Sequence, residues 1–320
     1  MDGEEGLRGI LVPIVLPMTP DGEADFDKLR ELTSSILESG VNGIWVNGST
    51  GELHSLTAGE RAAVVREVAD VVRGRGQVVA HVGDTSTRLA IGHAEAAVTA
   101  GATHIGAVAP YYASFSPIEI GRHYQELARA STVPLLLYNL PQMVKVGLEH
   151  ETVLRLAHEG AAVGIKDTGG DFSWYRGLIH QVDAAGLPFR FFMGVESLVD
   201  VSLFAGGHGA VCTLVNLIPH TFVGLWQAAT RQDWTAVRSH QRDIVALVQA
   251  LQIPGRTEWI ASIAALKWVM TELGQLTSSA VAAPAMPLNA PEQHHLATSA
   301  LPIAARLNED RRGHEARKGA

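Results

Sequence analysis

Lys166 ends a short apolar run, Val163-Gly164-Ile165, and Asp167-Thr168-Gly169-Gly170-Asp171 follows it. A lysine at the end of a buried strand is costly to keep charged, because low-dielectric surroundings disfavour the ammonium. Two arrangements relieve that cost. The amine is paired, with Asp167 or another acid, or it is held neutral and nucleophilic for Schiff-base chemistry on a carbonyl. Tyr138 closes a second apolar run, 134–138, ahead of Asn139-Leu140-Pro141. As a core residue it would need a partner for its hydroxyl. As a site residue it could pass a proton between a lysine adduct and substrate. The third group is Gly48-Ser49-Thr50-Gly51-Glu52. A small, hydroxyl-rich turn can aim consecutive backbone N–H groups at an anion, with Ser49 and Thr50 adding donors. No lysine lies near it in sequence, so a carboxylate suits it better than a phosphate. The plain alternative is a loop that uses glycine for its φ angles.

These groups need elements that bring them together. Apolar, β-rich runs predict eight strands, at 9–17, 41–46, 77–81, 104–109, 134–138, 163–166, 189–193 and 209–213. Helical spacing and caps place helices between them. Asp25 caps the first, and Thr57…Glu60 and Ser116…Glu119 are capping boxes, the latter with Pro117 at the first helical position. Strands alternating with helices imply parallel pairing and right-handed crossovers, and eight repeats close. The expected fold class is α/β, a (β/α)8 TIM barrel with additional C-terminal helices. An open doubly wound sheet is the rival, but no Gly-x-Gly-x-x-Gly follows the first strand. We expect the barrel over 1–230 and a helical extension packed on it over 231–308. The charged, mixed-sign segment 309–320 is expected to be a disordered tail.

In such a barrel, chemistry collects at the C-terminal ends of the strands. The 48–52 turn, His81, Tyr111, Tyr112, Tyr138, Lys166, Gly194-Val195-Glu196 and Cys212-Thr213 all fall there. A net charge of −8 and a pI near 5.9 argue against nucleic acid as a partner. The single cysteine, Cys212, cannot form a disulfide within the chain, and it reads as a small buried residue. The first eight residues lack the basic-then-apolar order of a signal peptide. No apolar run reaches the ~18 residues that span a bilayer. A cytoplasmic protein with no membrane partner is the expectation. The 14 histidines include no His-x-His and no His-Glu-x-x-His, so no metal site is expected.

The pieces GSTGE (48–52), AHVG (80–83), APYY (109–112), YNLP (138–141), GIKDTGGD (164–171) and AGGHGAV (205–211) occur in this order. With them, the chain from Gly9 to Leu273 resembles the N-acetylneuraminate lyase/dihydrodipicolinate synthase family of pyruvate-dependent class I aldolases. The resemblance implies that Lys166 forms the Schiff base and Tyr138 shuttles the proton. It implies that Ser49 and Thr50, following Gly48, bind the pyruvate carboxylate, largely through backbone amides. Tyr112 would enter a neighbouring subunit's site, and the Val211 carbonyl would face the bound keto acid. No cofactor is implied beyond the covalent adduct, and a homotetramer is the expected assembly.

Two departures bear on substrate. Met143 stands where the dihydrodipicolinate synthases place a carboxylate-binding arginine, and Lys145, two residues on, is not an equivalent replacement. The strand-seven loop reads Gly194-Val195-Glu196-Ser197 where the lyase carries an Asp-Glu pair; Thr168 and Thr213 match its hydroxyl-bearing positions. The expected substrates are therefore a 2-keto acid and a neutral or polyhydroxylated aldehyde, joined or cleaved as a 2-keto-3-deoxy sugar acid or an N-acetylneuraminate-like acid. The alternatives are a 4-hydroxy-tetrahydrodipicolinate synthase, or a Schiff-base dehydratase or decarboxylase on a keto-deoxy sugar acid. A non-catalytic ligand-binding homologue would be favoured if Lys166 or Tyr138 were missing, and both are present.

Overall fold

The computed structural model describes residues 6–318, with side chains as far as Glu309. Eight parallel strands close a barrel in chain order, the last pairing with the first. They are β1 Gly9–Pro13, β2 Gly43–Val46, β3 Gln77–His81, β4 His104–Val108, β5 Leu135–Asn139, β6 Gly164–Asp167, β7 Arg190–Met193 and β8 Gly209–Ala210. Around and beyond them run α1 Phe26–Glu38, α2 Ala58–Val72, α3 Thr87–Thr99, α4 Pro117–Ala130, α5 Pro141–Val144, α6 His150–His158, α7 Phe172–Ala184, α8 Val199–Phe204 and α9 Pro219–Thr230. The C-terminal helices are α10 Trp234–Ala250, α11 Trp259–Glu272, α12 Ala290–Thr298 and α13 Ala300–Lys318.

Successive side chains of a strand point to opposite faces, and the strands divide cleanly on that rule. Leu11, Trp45, Val79, Val108, Leu136, Tyr138, Phe192 and Val211 pack together inside the barrel. Their neighbours Ile10, Ile44, Val78, Ala107, Leu137, Ile165 and Phe191 face outward against the helices. One interior position is kept empty by sequence. A Cβ on Gly106 would lie 2.4 Å from the Trp45 ring, so glycine there is what lets an indole occupy the lumen. The helix starts follow the sequence signals. Thr57/Glu60 and Ser116/Glu119 form reciprocal capping boxes, and Asp25 accepts from the Lys28 N–H.

Four features differ from the sequence reading. β1 leaves its ladder at Pro13, and β8 has two residues, because the chain beyond Ala210 bends into a 3-10 turn over Thr213–Asn216. An unexpected one-turn helix, α5, follows YNLP; Pro141 sits at its first position, where the missing N–H costs nothing. The proline- and alanine-rich stretch 282–291, after which the sequence suggests one short helix, leads into two, α12 and α13. The segment 309–320, expected to be disordered, continues α13 as helix through Lys318. Its Glu, Arg, Ala and Lys residues are good helix formers, and the ordered start of α13 supplies the nucleus that an isolated segment would lack. Residues 1–5 and 319–320 lie outside the described residues.

The C-terminal helices are not an appendage. Leu266, Val269, Leu296, Ala300 and Ala304 are buried in the same core as the outward faces of the strands. Among the described residues no helix is long and apolar enough to cross a membrane.

Candidate active site

Register explains the centre of the site. Tyr138 on β5 pairs directly with Lys166 on β6, and Lys166 with Phe192 on β7. Paired residues of parallel strands share a face, so lysine and phenol both enter the lumen, near the C-terminal ends of their strands. Lys166 is 4% exposed. Its Nζ lies 4.2 Å from the centroid of the Tyr138 ring and 5.0 Å from that of Trp45. Trp45 and His81 meet the Tyr138 ring edge-to-face, at 5.7 and 5.9 Å between centroids. The amine is thus walled by aromatic surface.

The ion-pair alternative for Lys166 does not hold for Asp167. One residue further along the strand, Asp167 points to the opposite face. Its Oδ1 accepts from Asn139 Nδ2 at 2.7 Å and from the Gly169 N–H at 3.2 Å. Burial pushes its carboxyl up to about 6, with the Asn139 and Gly169 hydrogen bonds opposing. Among the described residues no carboxylate comes within 4 Å of the Lys166 amine. The nearby Glu196 feels the charge of the amine, which opposes the upward push that burial gives its carboxyl.

A cavity of about 370 Å³ opens over the lysine. It gathers Ser49, Thr50, Tyr138, Met143, Lys166, Thr168, Gly194, Glu196, Val211 and Thr213, residues contributed by five strand ends, those of β2, β5, β6, β7 and β8. Gly48 precedes a 3-10 turn, Ser49–Gly51, with Gly51 N–H donating to Gly48 O at 3.1 Å. The N–H groups of Ser49 and Thr50, first in that turn, find no acceptor among the described residues, as the start of a helical turn dictates. Thr50 Oγ1 meets Thr213 Oγ1 at 2.9 Å across the mouth. The Val211 N–H donates to Met193 O at 2.8 Å, and its carbonyl accepts from no described residue.

Gly194 must be glycine. A Cβ there would sit 2.2 Å from Thr168 Oγ1 and 3.2 Å from Lys166 Cε. Thr168 Oγ1 is buried with no hydrogen-bond partner in the chain, an open capacity beside the reactive amine. Glu196 reaches the cavity, but its Oε1 accepts from the Thr213 N–H at 2.8 Å and the Leu214 N–H at 3.4 Å. Burial pushes its carboxyl above the usual range, with those N–H groups and Lys166 opposing. One of its oxygens therefore holds the loop that carries Thr213. Tyr112 lies outside the cavity and is 91% exposed, whereas Tyr111 turns inward.

Several contributors were not read from sequence. Glu52, with φ 54° and no exposure, pairs with Lys267 Nζ at 2.5 Å, and its other oxygen accepts from the Ala282 N–H at 2.7 Å. Lys267 also donates to Ala280 O at 2.9 Å, and burial lowers its pKa against the pull of Glu52. The pair ties the 48–52 turn to α11. Lys267 is the one charge within Ile260–Met270, an otherwise apolar run, and that was the available signal. Gln241 of α10 donates to Glu196 O at 2.8 Å and accepts from the Asp200 N–H at 3.2 Å, bracing the strand-seven loop. Trp259 of α11 closes the cavity from above the barrel.

The model of the dihydrodipicolinate synthetase family matches residues 6–301. The chain belongs to this family. It is accordingly an enzyme of the lyase class. It is 31% identical to the 4-hydroxy-tetrahydrodipicolinate synthase of Neisseria gonorrhoeae, over 84% of this chain and 89% of that one. It is 32% identical to the probable 2-dehydro-3-deoxy-D-pentonate aldolase YjhH of Escherichia coli, over 77% and 83%. Among solved structures it resembles YagE of Escherichia coli in complex with pyruvate, at TM-score 0.87 and 28% identity, covering 94% of this chain and 98% of that one. The dihydrodipicolinate synthase of Acinetobacter baumannii complexed with pyruvate matches at TM-score 0.85 and 29% identity, over 94% and 99%.

Proposed function

We propose that this family member is a class I aldolase that makes or cleaves the bond between pyruvate and a neutral aldehyde, through a Schiff base on Lys166. The observation that carries the reading is the pairing of Tyr138 with a buried, acid-free Lys166 in one lumen layer. The Lys166 amine adds to the C2 carbonyl of pyruvate, and loss of water leaves the iminium. The pyruvate carboxylate lies against the Ser49 and Thr50 N–H groups. Removal of a C3 proton gives the enamine, whose carbon attacks the aldehyde. The new alkoxide takes a proton, and water releases the product. Tyr138 carries these protons. Cleavage is the same path reversed, and it needs no cofactor or metal ion. Among the described residues no cluster of three or more histidine, cysteine or acidic side chains could hold one.

A neutral aldehyde follows from the lining. No arginine or second lysine lines the cavity, and Met143 stands open at its edge. Lys145 is exposed, in left-handed conformation, and outside the lining, so it offers no substitute cation. Thr168, Gln142 and Thr213 supply hydroxyl and amide groups next to the lysine, which suits a 2-keto-3-deoxy sugar acid or an N-acetylneuraminate-like acid. The similarity to YjhH supports this. Aspartate semialdehyde condensation is the second reading, favoured by the synthases at 31% identity and, for Anaeromyxobacter, 37%. A panel decides between them: pyruvate release from 2-keto-3-deoxy sugar acids and N-acetylneuraminate, beside synthesis with aspartate semialdehyde, each repeated with chelator. We expect cleavage that chelator leaves unchanged. Efficient semialdehyde condensation with no sugar-acid cleavage would reverse the ranking.

Assembly belongs to the same proposal. Tyr112, Phe115 and Ile118 expose apolar side chains on one loop and the start of α4, at 91, 37 and 75%. That surface supports a homotetramer in which Tyr112 serves a neighbouring site.

A further inference from the structure

The strand pair that carries the chemistry has a second rung behind the first. Tyr138 pairs with Lys166 across β5 and β6, and the next residues, Asn139 and Asp167, pair in the same register. Successive side chains of a strand alternate between faces, so the first rung enters the lumen and the second lies on the opposite face. Asn139 and Asp167 are 5% and 1% exposed. We propose that Asn139 and Asp167 are a positioning pair, which holds the Tyr138 hydroxyl where proton transfer to and from the Lys166 adduct needs it. The pair rests on the Schiff-base reading and adds two residues to that mechanism.

The hydrogen bonds of this rung converge on the segments around the amine. Asn139 Nδ2 donates to Asp167 Oδ1 at 2.7 Å, straight across the two strands. The same oxygen takes the Gly169 N–H at 3.2 Å, and Asn139 Oδ1 takes the Leu148 N–H at 3.1 Å. The backbone is engaged as well. The Thr168 N–H donates to Asn139 O at 2.9 Å, and the Gly194 N–H to Asp167 O at 2.7 Å. One pair thus ties down the turn that carries Thr168, the loop after YNLP and the glycine that lies against the lysine side chain. A Cβ on Gly169 would sit 3.1 Å from both Asn139 Nδ2 and Asp167 Oδ1, so the turn closes tightly over the rung.

Fold stability alone is a poor account of the pair. Among the described residues no lysine, arginine or histidine forms an ion pair with Asp167. Burial and the charge of Asp171 both disfavour its ionised form, opposed by the bonds from Asn139 and Gly169. A well-packed apolar pair would fill the same place without that desolvation cost. What a carboxylate and an amide supply instead is a short, directional bond at one height along the strands. Tyr138 is covalently next to one partner and Lys166 next to the other, so a slip of the rung displaces the phenol relative to the amine. A displacement of about 1 Å can cost on the order of 10²-fold in rate.

Exchange of the pyruvate methyl protons in D2O isolates the step, because it needs the Lys166 adduct and the proton transfer assigned to Tyr138, and no aldehyde. In Asn139→Asp two carboxylates meet across the rung, and in alkaline buffer neither has a proton to donate. That variant should still give the borohydride-trapped pyruvate adduct and should lose roughly 10–100-fold in exchange rate. The swap Asn139→Asp/Asp167→Asn again faces an amide donor with a carboxylate and leaves acceptors for the Gly169 and Leu148 N–H groups, so most of the rate should return. In a Tyr138→Phe background Asn139→Asp should cost little further, because residues that act through one group are non-additive. Should Asn139→Asp fail to fold, Asp167→Asn takes its place in the same comparison; it keeps an acceptor for Gly169 and loses the charge-assisted bond, and its smaller fall should likewise vanish without the phenol hydroxyl. A penalty of equal size with and without that hydroxyl, or a swap as slow as Asn139→Asp, would overturn the positioning role while a normal wild-type adduct leaves the aldolase reading standing. Absence of the adduct in the wild-type enzyme would overturn both.

Discussion

At the scale of single residues, Lys166 and Tyr138 are set by one line of register, and the amine's reach is fixed by what surrounds it. Gly194→Ala would drive a methyl group into Thr168 Oγ1 and against Lys166 Cε. We expect that variant to fold and to lose most of its pyruvate adduct, read by borohydride trapping; normal trapping would show that the lysine tolerates displacement. Tyr138→Phe keeps the ring that packs against Trp45 and His81 but removes the hydroxyl. It should retain the adduct and lose roughly 10²–10⁴-fold in turnover, the usual contribution of a positioned acid–base group. Both residues were legible in sequence, because strand ends in this fold collect chemistry and the motifs around them are specific. The sequence did not show which way Glu196 would spend its acceptors. Its bond to the Thr213 N–H depends on how two loops meet, which no local pattern encodes. Trp45 likewise read as an ordinary strand residue until the lumen placed it against the phenol.

Among elements, the decisive contact is the pair joining the 48–52 turn to α11. Both side chains are fully buried and 215 residues apart. Removing one partner leaves an uncompensated buried charge, a loss of about 3–5 kcal/mol, whereas an apolar replacement of both is far better tolerated. Lys267→Met should therefore lower stability in urea by that order and raise the KM for pyruvate, as the Ser49 and Thr50 N–H groups lose their brace. Adding Glu52→Gln should recover much of the stability. If Lys267→Met melts like the wild type, the pair is not what holds the turn. All eight strands and the capping boxes were legible because period, caps and turn residues are local. The brevity of β8, the helix α5 and the helical end of α13 were not, since each follows from its neighbours more than from its own composition.

For the whole molecule, the buried histidines set the response to acid. Desolvation pulls His123 and His208 down to about 4 and His81 to about 3. Above 6.5, their ordinary value, they are neutral folded or unfolded. Below it the unfolded chain takes up protons first, so stability falls until the folded values are reached, by roughly 3 kcal/mol for each group. Asp167 opposes this, because a raised carboxyl favours the folded state at low pH and loses that advantage as pH rises through about 6. Three histidines outweigh one aspartate, and urea midpoints should drop between pH 6.5 and 4. His123→Asn should flatten that slope; an unchanged slope would place the protons elsewhere. The barrel as a whole was legible because eight local repeats admit few closures. The apolar second cavity, of about 420 Å³, was not, since its walls come from six separate stretches, 49–54, 81, 108–111, 140–144, 259–260 and 284–285. The central claim is covalent, and one measurement tests it. The enzyme is incubated with pyruvate, reduced with borohydride, weighed intact and mapped by peptide mass. The account predicts one lactyl-type adduct per chain, on the peptide containing Lys166, and none in Lys166→Ala. No adduct, or an adduct on another lysine, would contradict it.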